Sequence, residues 1–539
     1  MSGGTGADLD ERDVLGLLML AFEGEAIPAW LAARLTDAPP AGFTLFRHHN
    51  VRTPGQLRDL TDALQAAAPP DLPFLIAADQ EGGQFQALGD GPTPFAGAMA
   101  LGAAGSEGLA ERVGRAIGLE LAAMGVNVCY APVADVAVTR LNPALGIRSF
   151  GEDADVVARL VAATVRGIQS TGVAATVKHF PGKGAVEADT HHALGIVDHD
   201  RSRLDDVELV PFRAAVAAGV RLVMSGHFAV PALTGDARLP ATLAAEVMDD
   251  LLRGELGFDG VAITDALDMK ALEQGPNQVL DVLAALRAGV DLLLLAADPV
   301  GRDRVTTGLR HAVRRRLLDA RTVHRARERV AALRRSLVAA TDPERRPDLS
   351  VVGCAAHLAL SRELAERSLT LVRDDDGLLP LQPGPKGRIL AVMPRPVDLT
   401  PADTSSTVEP GLAAALRATH PAVDEAVVAI EPDDATIAAV RARAEGVDTV
   451  VVGTIAATPA SAQARLVDAI LATGSPTVTV ALRTPWDLAA YPASRTHLCT
   501  YSILPDPLAA LADALAGRLV PVGRLPVRLG ELGPAPGTR

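Results

Sequence analysis

The sequence predicts an α/β protein: an N-terminal (β/α)8 TIM-like barrel followed by a C-terminal α/β sandwich domain with a mostly parallel sheet. Three observations predict it. Over roughly the first 300 residues, eight short apolar runs alternate with longer amphipathic stretches, the pattern of repeated β-α units on a parallel sheet. Polar residues recur just after those runs, at the strand edge where barrel active sites are built. After residue 340 a charged, proline-containing segment interrupts the pattern, and a second alternating set begins.

The candidate strands are Leu17 to Phe22, Phe43 to Phe46, Phe74 to Ala78, Val126 to Ala131, Ala174 to Val177, Leu222 to Ser225, Val261 to Thr264 and Leu292 to Leu295. Each is strand-sized. Helical segments between them include Thr53 to Ala68, Glu107 to Met124, Ala154 to Gln169, Glu208 to Ala218 and Leu243 to Leu256. Ala320 to Val338 reads as a closing helix, giving a barrel domain over 1–340. The run T-D-P-E-R-R-P-D-L-S falls in a linker at 341–353. The second domain, 354–539, opens with a helix from Cys354 to Ser368 and the strand-like L-T-L-V-R-D. Further apolar runs follow at Ile389 to Met393, Thr449 to Ile455, Thr477 to Leu482 and Leu498 to Tyr501. They alternate with helices such as Asp434 to Ala444 and Leu508 to Ala516.

With 539 residues, the chain exceeds one ordinary core. Its 48% hydrophobic and 22% charged residues are ordinary for a globular protein. A net charge of -14 argues against a polyanionic partner, so no nucleic acid is expected. Three dispersed cysteines, Cys129, Cys354 and Cys499, give neither a disulfide framework nor metal-ligand spacing. The acidic N-terminus lacks the pattern of a secretory signal, and no apolar run is long enough to span a membrane. A cytoplasmic location is expected.

The chemistry concentrates between Lys178 and His192, in K-H-F-P-G-K-G-A-V-E-A-D-T-H-H. This stretch holds two of the chain's four lysines and three of its twelve histidines. Lysine is a compact point-charge donor that arginine does not replace. Asp189 lies two residues before His191, a spacing that lets a carboxylate orient an imidazole. Other polar groups stand after the other strands: Asp79 after the third, Arg148 in the loop after the fourth, His227 after the sixth and Asp265 after the seventh. An ionised Asp265 on a rigid strand end can act as a nucleophile toward a sugar carbon or stabilise positive charge. His191 can supply and remove a proton. Lys178, His179, Asp79 and Arg148 suit sugar hydroxyls, and with aromatics at 3% recognition rests on polar contacts. The residues alone leave alternatives open: an exposed His191-His192 pair, glycines at 182 and 184 that only turn the chain, or a zinc site from His179, His191 and Asp265. No H-E-x-x-H, Walker or G-x-G-x-x-G pattern supports a metal or phosphate site.

The motifs K-H-F-P-G-x-G-x-x-x-x-D-T-H, D-Q-E-G-G, N-P-x-x-G-x-R-S-F-G and G-F-D-G-V-x-I-T-D-A-L together resemble glycoside hydrolase family 3, in its β-N-acetylglucosaminidase branch. P-V-G-R-L-P-V near the end resembles the second domain of two-domain members. The resemblance implies a retaining, exo-acting β-N-acetylglucosaminidase with Asp265 as nucleophile and His191, paired with Asp189, as acid and base. Asp79, Arg148, Lys178 and His179 match positions that hold the N-acetylglucosamine ring, and His227 matches a position lining that pocket. Implied substrates are muropeptide fragments or chitin oligosaccharides, with no cofactor and no metal. A phosphorylase using the same site, and a sugar-binding sensor without turnover, are the alternatives. Two residues depart from the family pattern: Ala87 stands where an arginine is usual, and Lys183 where a histidine is usual.

Overall fold

The computed structural model describes residues 9–140, 142, 144–187, 193–382, 387–401 and 403–532. Eight strands form the first sheet: β1 (Leu18–Leu20), β2 (Gly42–Thr44), β3 (Leu75–Ala78), β4 (Val128–Cys129), β5 (Ala174–Phe180), β6 (Leu222–Ser225), β7 (Val261–Thr264) and β8 (Leu293–Leu294). In space they run β7-β6-β5-β4-β3-β2-β1-β8, all paired in parallel. A bridge from Ile263 to Leu292 joins the two ends of that order and closes the barrel. Strands β3, β6 and β7 are buried at every position, as expected where side chains fill the barrel on one face and helices cover the other.

Two outer helices show how the sequence sets their limits. Helix α1 (Glu107–Ala123) starts at Ser106, whose hydroxyl accepts from the Leu109 N–H. Helix α2 (Ala154–Gln169) starts at Asp153, whose carboxylate accepts from Asp155 and Val156. Both caps satisfy N–H groups that a helix start leaves unpaired. One segment differs from expectation: Leu243 to Leu256 is not a regular α-helix but a 3-10 turn at Ala241–Leu243 followed by a π-helix at Glu246–Glu255.

After helix α3 (Ala320–Ser336) the chain crosses to helix α4 (Ala355–Ser368) and a six-stranded sheet. Its strands are β9 (Thr370–Asp374), β10 (Ile389–Pro394), β11 (Val423–Val428), β12 (Thr449–Thr454), β13 (Thr477–Ala481) and β14 (Thr496–Cys499). The spatial order is β9-β14-β13-β12-β10-β11, antiparallel only between β9 and β14. Alternation divides β10 between two cores: Leu390 and Val392 join the core shared with the barrel, whereas Ile389, Ala391 and Met393 face the other side. Strand β11 was not expected. Its sequence V-D-E-A-V-V carries two acids, which the sheet tolerates because β11 lies at the edge and exposes Glu425 and Val427.

The crossing segment is clamped. Buried Glu120 on α1 accepts from the Gly353 N–H at 3.1 Å and pairs with His357 Nδ1 at 2.8 Å. Arg346 reaches back to Asp62 at 2.5 Å. Among the described residues no helix is long and apolar enough to cross a membrane.

Candidate active site

The barrel gathers the residues expected from its strand ends. Asp79 directly follows β3, Lys178 and His179 lie on β5, Asp265 follows β7, and Arg148 ends a 3-10 turn at Gly146–Arg148. Strand β5 meets β6 with a register break between Lys178 and Phe180. Such a bulge puts an extra residue on one strand and re-aims its side chain. His179 is that extra residue. The Lys178–His179 and Phe180–Pro181 peptide bonds are cis.

Four charged groups interlock at the mouth. Lys178 Nζ lies 2.5 Å from Asp79 Oδ1 and 2.6 Å from Glu81 Oε1. Arg148 binds Glu81 through two parallel bonds, Nε to Oε2 at 2.9 Å and Nη2 to Oε1 at 2.8 Å. Its third nitrogen donates to the Ala144 carbonyl, and its guanidinium lies 4.2 Å from the centre of the Phe85 ring. Burial alone would raise the Glu81 carboxyl, but Arg148 and Lys178 together hold it down to about 2. Charge-assisted, bidentate pairs of this kind fix geometry as well as supply energy. Asp79 keeps its side chain 23% exposed, whereas Glu81 keeps 6%. Asp79 therefore faces the opening, and Glu81 lies behind it as the anchor.

A second group surrounds Asp265. Asp265 Oδ1 accepts from the Ala266 N–H at 2.8 Å, and Oδ2 lies 3.9 Å from His179 Nε2. The other ring nitrogen, Nδ1, meets Asp135 Oδ2 at 2.7 Å, which makes Nδ1 the donor and turns Nε2 toward Asp265. Asp135 is wholly buried and also accepts from the backbone N–H groups of His179 and Lys183, at 3.3 and 2.8 Å. His227 lies behind the Asp265–Ala266 peptide. Its nitrogens meet Thr242 Oγ1 at 2.9 Å and the Ala266 carbonyl at 3.2 Å, and burial lowers its pKa.

Lys183 is 3% exposed and its ammonium has no ion pair among the described residues. Burial, with Arg148 nearby, brings it down to about 8 against the pull of Asp265 and Asp135. The glycine beside it does more than turn the chain: a Cβ on Gly184 would lie 1.8 Å from the Val136 carbonyl oxygen, so the loop packs where no side chain fits.

Of the eight expected site residues, six are brought to this mouth: Asp79, Arg148, Lys178, His179, His227 and Asp265. Asp189 and His191 lie outside the described residues. Glu81 and Asp135 were missed. Glu81 stands in D-Q-E-G-G after the third strand and Asp135 in A-P-V-A-D-V after the fourth, and an acid beyond a strand end was the signal that would have found them. Ala87 is buried in the barrel core, with its N–H 3.3 Å from the Asp79 carbonyl. No arginine guanidinium extends from that position. Among the described residues, no group of three or more His, Cys, Asp or Glu is placed to hold a metal ion.

Comparison with known proteins agrees with this architecture. Residues 16–333 match the Glycosyl hydrolase family 3 N terminal domain, and residues 369–531 match the C-terminal domain of the same family. The chain is 34% identical over 383 residues to Beta-hexosaminidase A of Pseudoalteromonas piscicida, covering 66% of this chain and 63% of that protein. It is 33% identical over 389 residues to a Beta-N-acetylglucosaminidase/beta-glucosidase of Cellulomonas fimi, covering 70% of this chain and 66% of that protein. The matched regions thus span slightly under two thirds of those two relatives. Among solved structures, a glycoside hydrolase family 3 β-N-acetylglucosaminidase from Paenibacillus sp. str. FPU-7 is similar with a TM-score of 0.90 and 34% identity, over 97% of this chain and 99% of that one.

Proposed function

The chain belongs to glycosyl hydrolase family 3, and from that premise we propose that it is a retaining, exo-acting β-N-acetylglucosaminidase. It removes terminal N-acetylglucosamine from muropeptide fragments or chitin oligosaccharides. The observation that carries this reading is Asp265, fixed at a strand end by the Ala266 N–H, with its side chain 18% exposed beside the buried His179. A carboxylate held this way is pre-aimed at an anomeric carbon.

In the first step an Asp265 oxygen bonds to C1 as the glycosidic C1–O bond breaks, and His191 gives a proton to the leaving oxygen. In the second step water attacks C1, His191 takes the water's proton, and the Asp265 carboxylate departs. Asp189 orients His191. These roles of Asp189 and His191 come from the sequence pattern. Asp79, Lys178, His179 and Arg148 hold the sugar, with Glu81 and Asp135 fixing the cations and the imidazole behind them.

A second reading is favoured by Lys183. A buried ammonium with no ion pair among the described residues, in electrostatic reach of Asp265, suits an oxyanion as the second-step acceptor, so inorganic phosphate would replace water and yield a sugar 1-phosphate.

The test is turnover of an aryl β-N-acetylglucosaminide by the wild type and Asp265→Asn, each with and without phosphate. Wild-type turnover that falls at least about 10³-fold in the variant supports the nucleophile. Phosphate stimulation with sugar 1-phosphate as product selects the phosphorylase. Full activity in the variant sinks the mechanism, and tight sugar binding without any turnover points instead to a sensor.

A further inference from the structure

Two hydroxyls and an imidazole form a chain that ends on the backbone beside Asp265. Strand β6 ends at Ser225, with His227 two residues further on. The 3-10 turn at Ala241–Leu243 sets Thr242 against both. Thr242 Oγ1 lies 3.0 Å from Ser225 Oγ and 2.9 Å from His227 Nδ1, and His227 Nε2 lies 3.2 Å from the Ala266 carbonyl oxygen. Ser225, Thr242 and His227 are all buried, His227 with 1% exposure. Buried polar groups find their partners inside the protein, and both nitrogens of His227 have done so.

The protons in this chain have one consistent order. A carbonyl oxygen only accepts, so Nε2 carries the N–H and donates to Ala266. A neutral imidazole has a single N–H, so Nδ1 accepts, and the Thr242 hydroxyl donates to it. With its one hydrogen placed there, Thr242 Oγ1 accepts from Ser225. The Gly226 carbonyl lies 3.0 Å from Thr242 Oγ1 and takes that hydrogen only when both ring nitrogens are protonated. Burial disfavours this charged form, against the pull of Asp265.

The same residues hold Asp265 from both sides. Its backbone N–H donates to the Ser225 carbonyl at 3.0 Å, and its Oδ1 accepts from the Ala266 N–H at 2.8 Å. His227 thus grips Ala266 by the carbonyl, and Ala266 aims the carboxylate by its N–H.

We propose that His227 is a positioning residue for Asp265, acting through Ala266, and that Ser225 and Thr242 fix its imidazole in the tautomer that donates from Nε2. It stands one layer behind the sugar pocket rather than in its wall. This deepens the glycosidase reading and rests on it for the role of Asp265.

The kinetic test exploits the reach of two amides. Glutamine can set its NH2 near the place of Nε2, whereas asparagine sets it near Nδ1. With an aryl β-N-acetylglucosaminide, kcat and kcat/KM should fall together by about 10²-fold in His227→Asn and by less in His227→Gln, because a misplacement of about 1 Å costs that much. Thr242→Val keeps the shape without the hydroxyl and should lose roughly tenfold, with a smaller loss in Thr242→Ser. Unchanged kcat in His227→Asn, or a rise in KM with kcat preserved, overturns the proposal.

A spectroscopic test needs no turnover. Nitrogen-15 NMR of histidine-labelled protein reads which ring nitrogen carries the proton, with the His227 signals identified by their loss in His227→Gln. The proton is expected on Nε2 in the wild type, and Thr242→Val should weaken or reverse that preference. A proton on Nδ1 in the wild type overturns the proposal. An inactive wild type defeats the glycosidase reading and leaves this one to be decided by the tautomer.

Discussion

Replacing Glu81 by glutamine keeps the shape of the anchor and removes its charge. Lys178 would retain Asp79 at 2.5 Å, but Arg148 would lose one of the two acceptor oxygens and the charge of its bidentate partner while remaining buried. Stranding one member of a buried pair costs about 3–5 kcal/mol. The surviving Lys178–Asp79 contact and the amide oxygen of glutamine place this case at the lower end, about 3 kcal/mol. At roughly 2–4 °C per kcal/mol for a large domain, the melting temperature should drop by about 6–12 °C. The pH dependence sharpens the test. Glu81 is depressed to about 2 in the fold, so its contribution is fully present above its unfolded value near 4.5 and is lost as pH falls toward 2. Thermal melts of both proteins from pH 7 to pH 3 should show the gap between them closing over the acid range. A variant as stable as wild type at pH 7, or a gap that persists undiminished at pH 3, would refute the claim that Glu81 is an ionised anchor.

Three further outcomes follow from the same geometry. Lys183→Met should be more stable than wild type at pH 7, by up to about 3 kcal/mol. The folded ammonium titrates at about 8 rather than near 10.5, so the wild type regains stability as pH rises through that window and denaturant melts should converge above pH 10. Asp135→Asn removes the charged partner of His179 Nδ1, and kcat should fall roughly 10- to 100-fold while the far-ultraviolet spectrum is unchanged; wild-type kcat would show that the imidazole needs no such orienter. Gly184→Ala places a methyl against the Val136 carbonyl at 1.8 Å, and loss of activity with about 2 kcal/mol or more of destabilisation is expected; a neutral change in denaturant midpoint would contradict the packing.

Much of this was legible in the chain itself. The barrel strands are visible because each buries both faces and therefore reads as an uninterrupted apolar run, which is why Leu222–Ser225 and Val261–Thr264 match expectation at both ends. Asp79, Lys178 and Asp265 were visible because a polar residue ending an apolar strand is conspicuous. The place of Glu81 and Asp135 beyond strand ends was visible, but they act on other side chains, and which partners they hold is set by three-dimensional approach that no spacing reveals. Strand β11 was missed for a different reason: an edge strand need bury only part of its surface, so its acids masked the pattern. A cavity lined by Arg140 and Arg483 joins residues more than 300 positions apart and leaves no local trace in the sequence.

The clamp on the crossing segment bears on how substrate enters. Glu120 grips Gly353 in the crossing segment and His357 on α4, and Thr404 of the second domain is tied to Gln84 of the barrel. With fastenings at two places, the domains are strapped rather than hinged, and a jaw-like opening would have to break these buried and part-buried polar contacts. The cleft is better described as a fixed slot. A chain end can be threaded into a slot of constant width, whereas the middle of a long polymer cannot be laid into it, so the strap would favour the proposed action on chain ends.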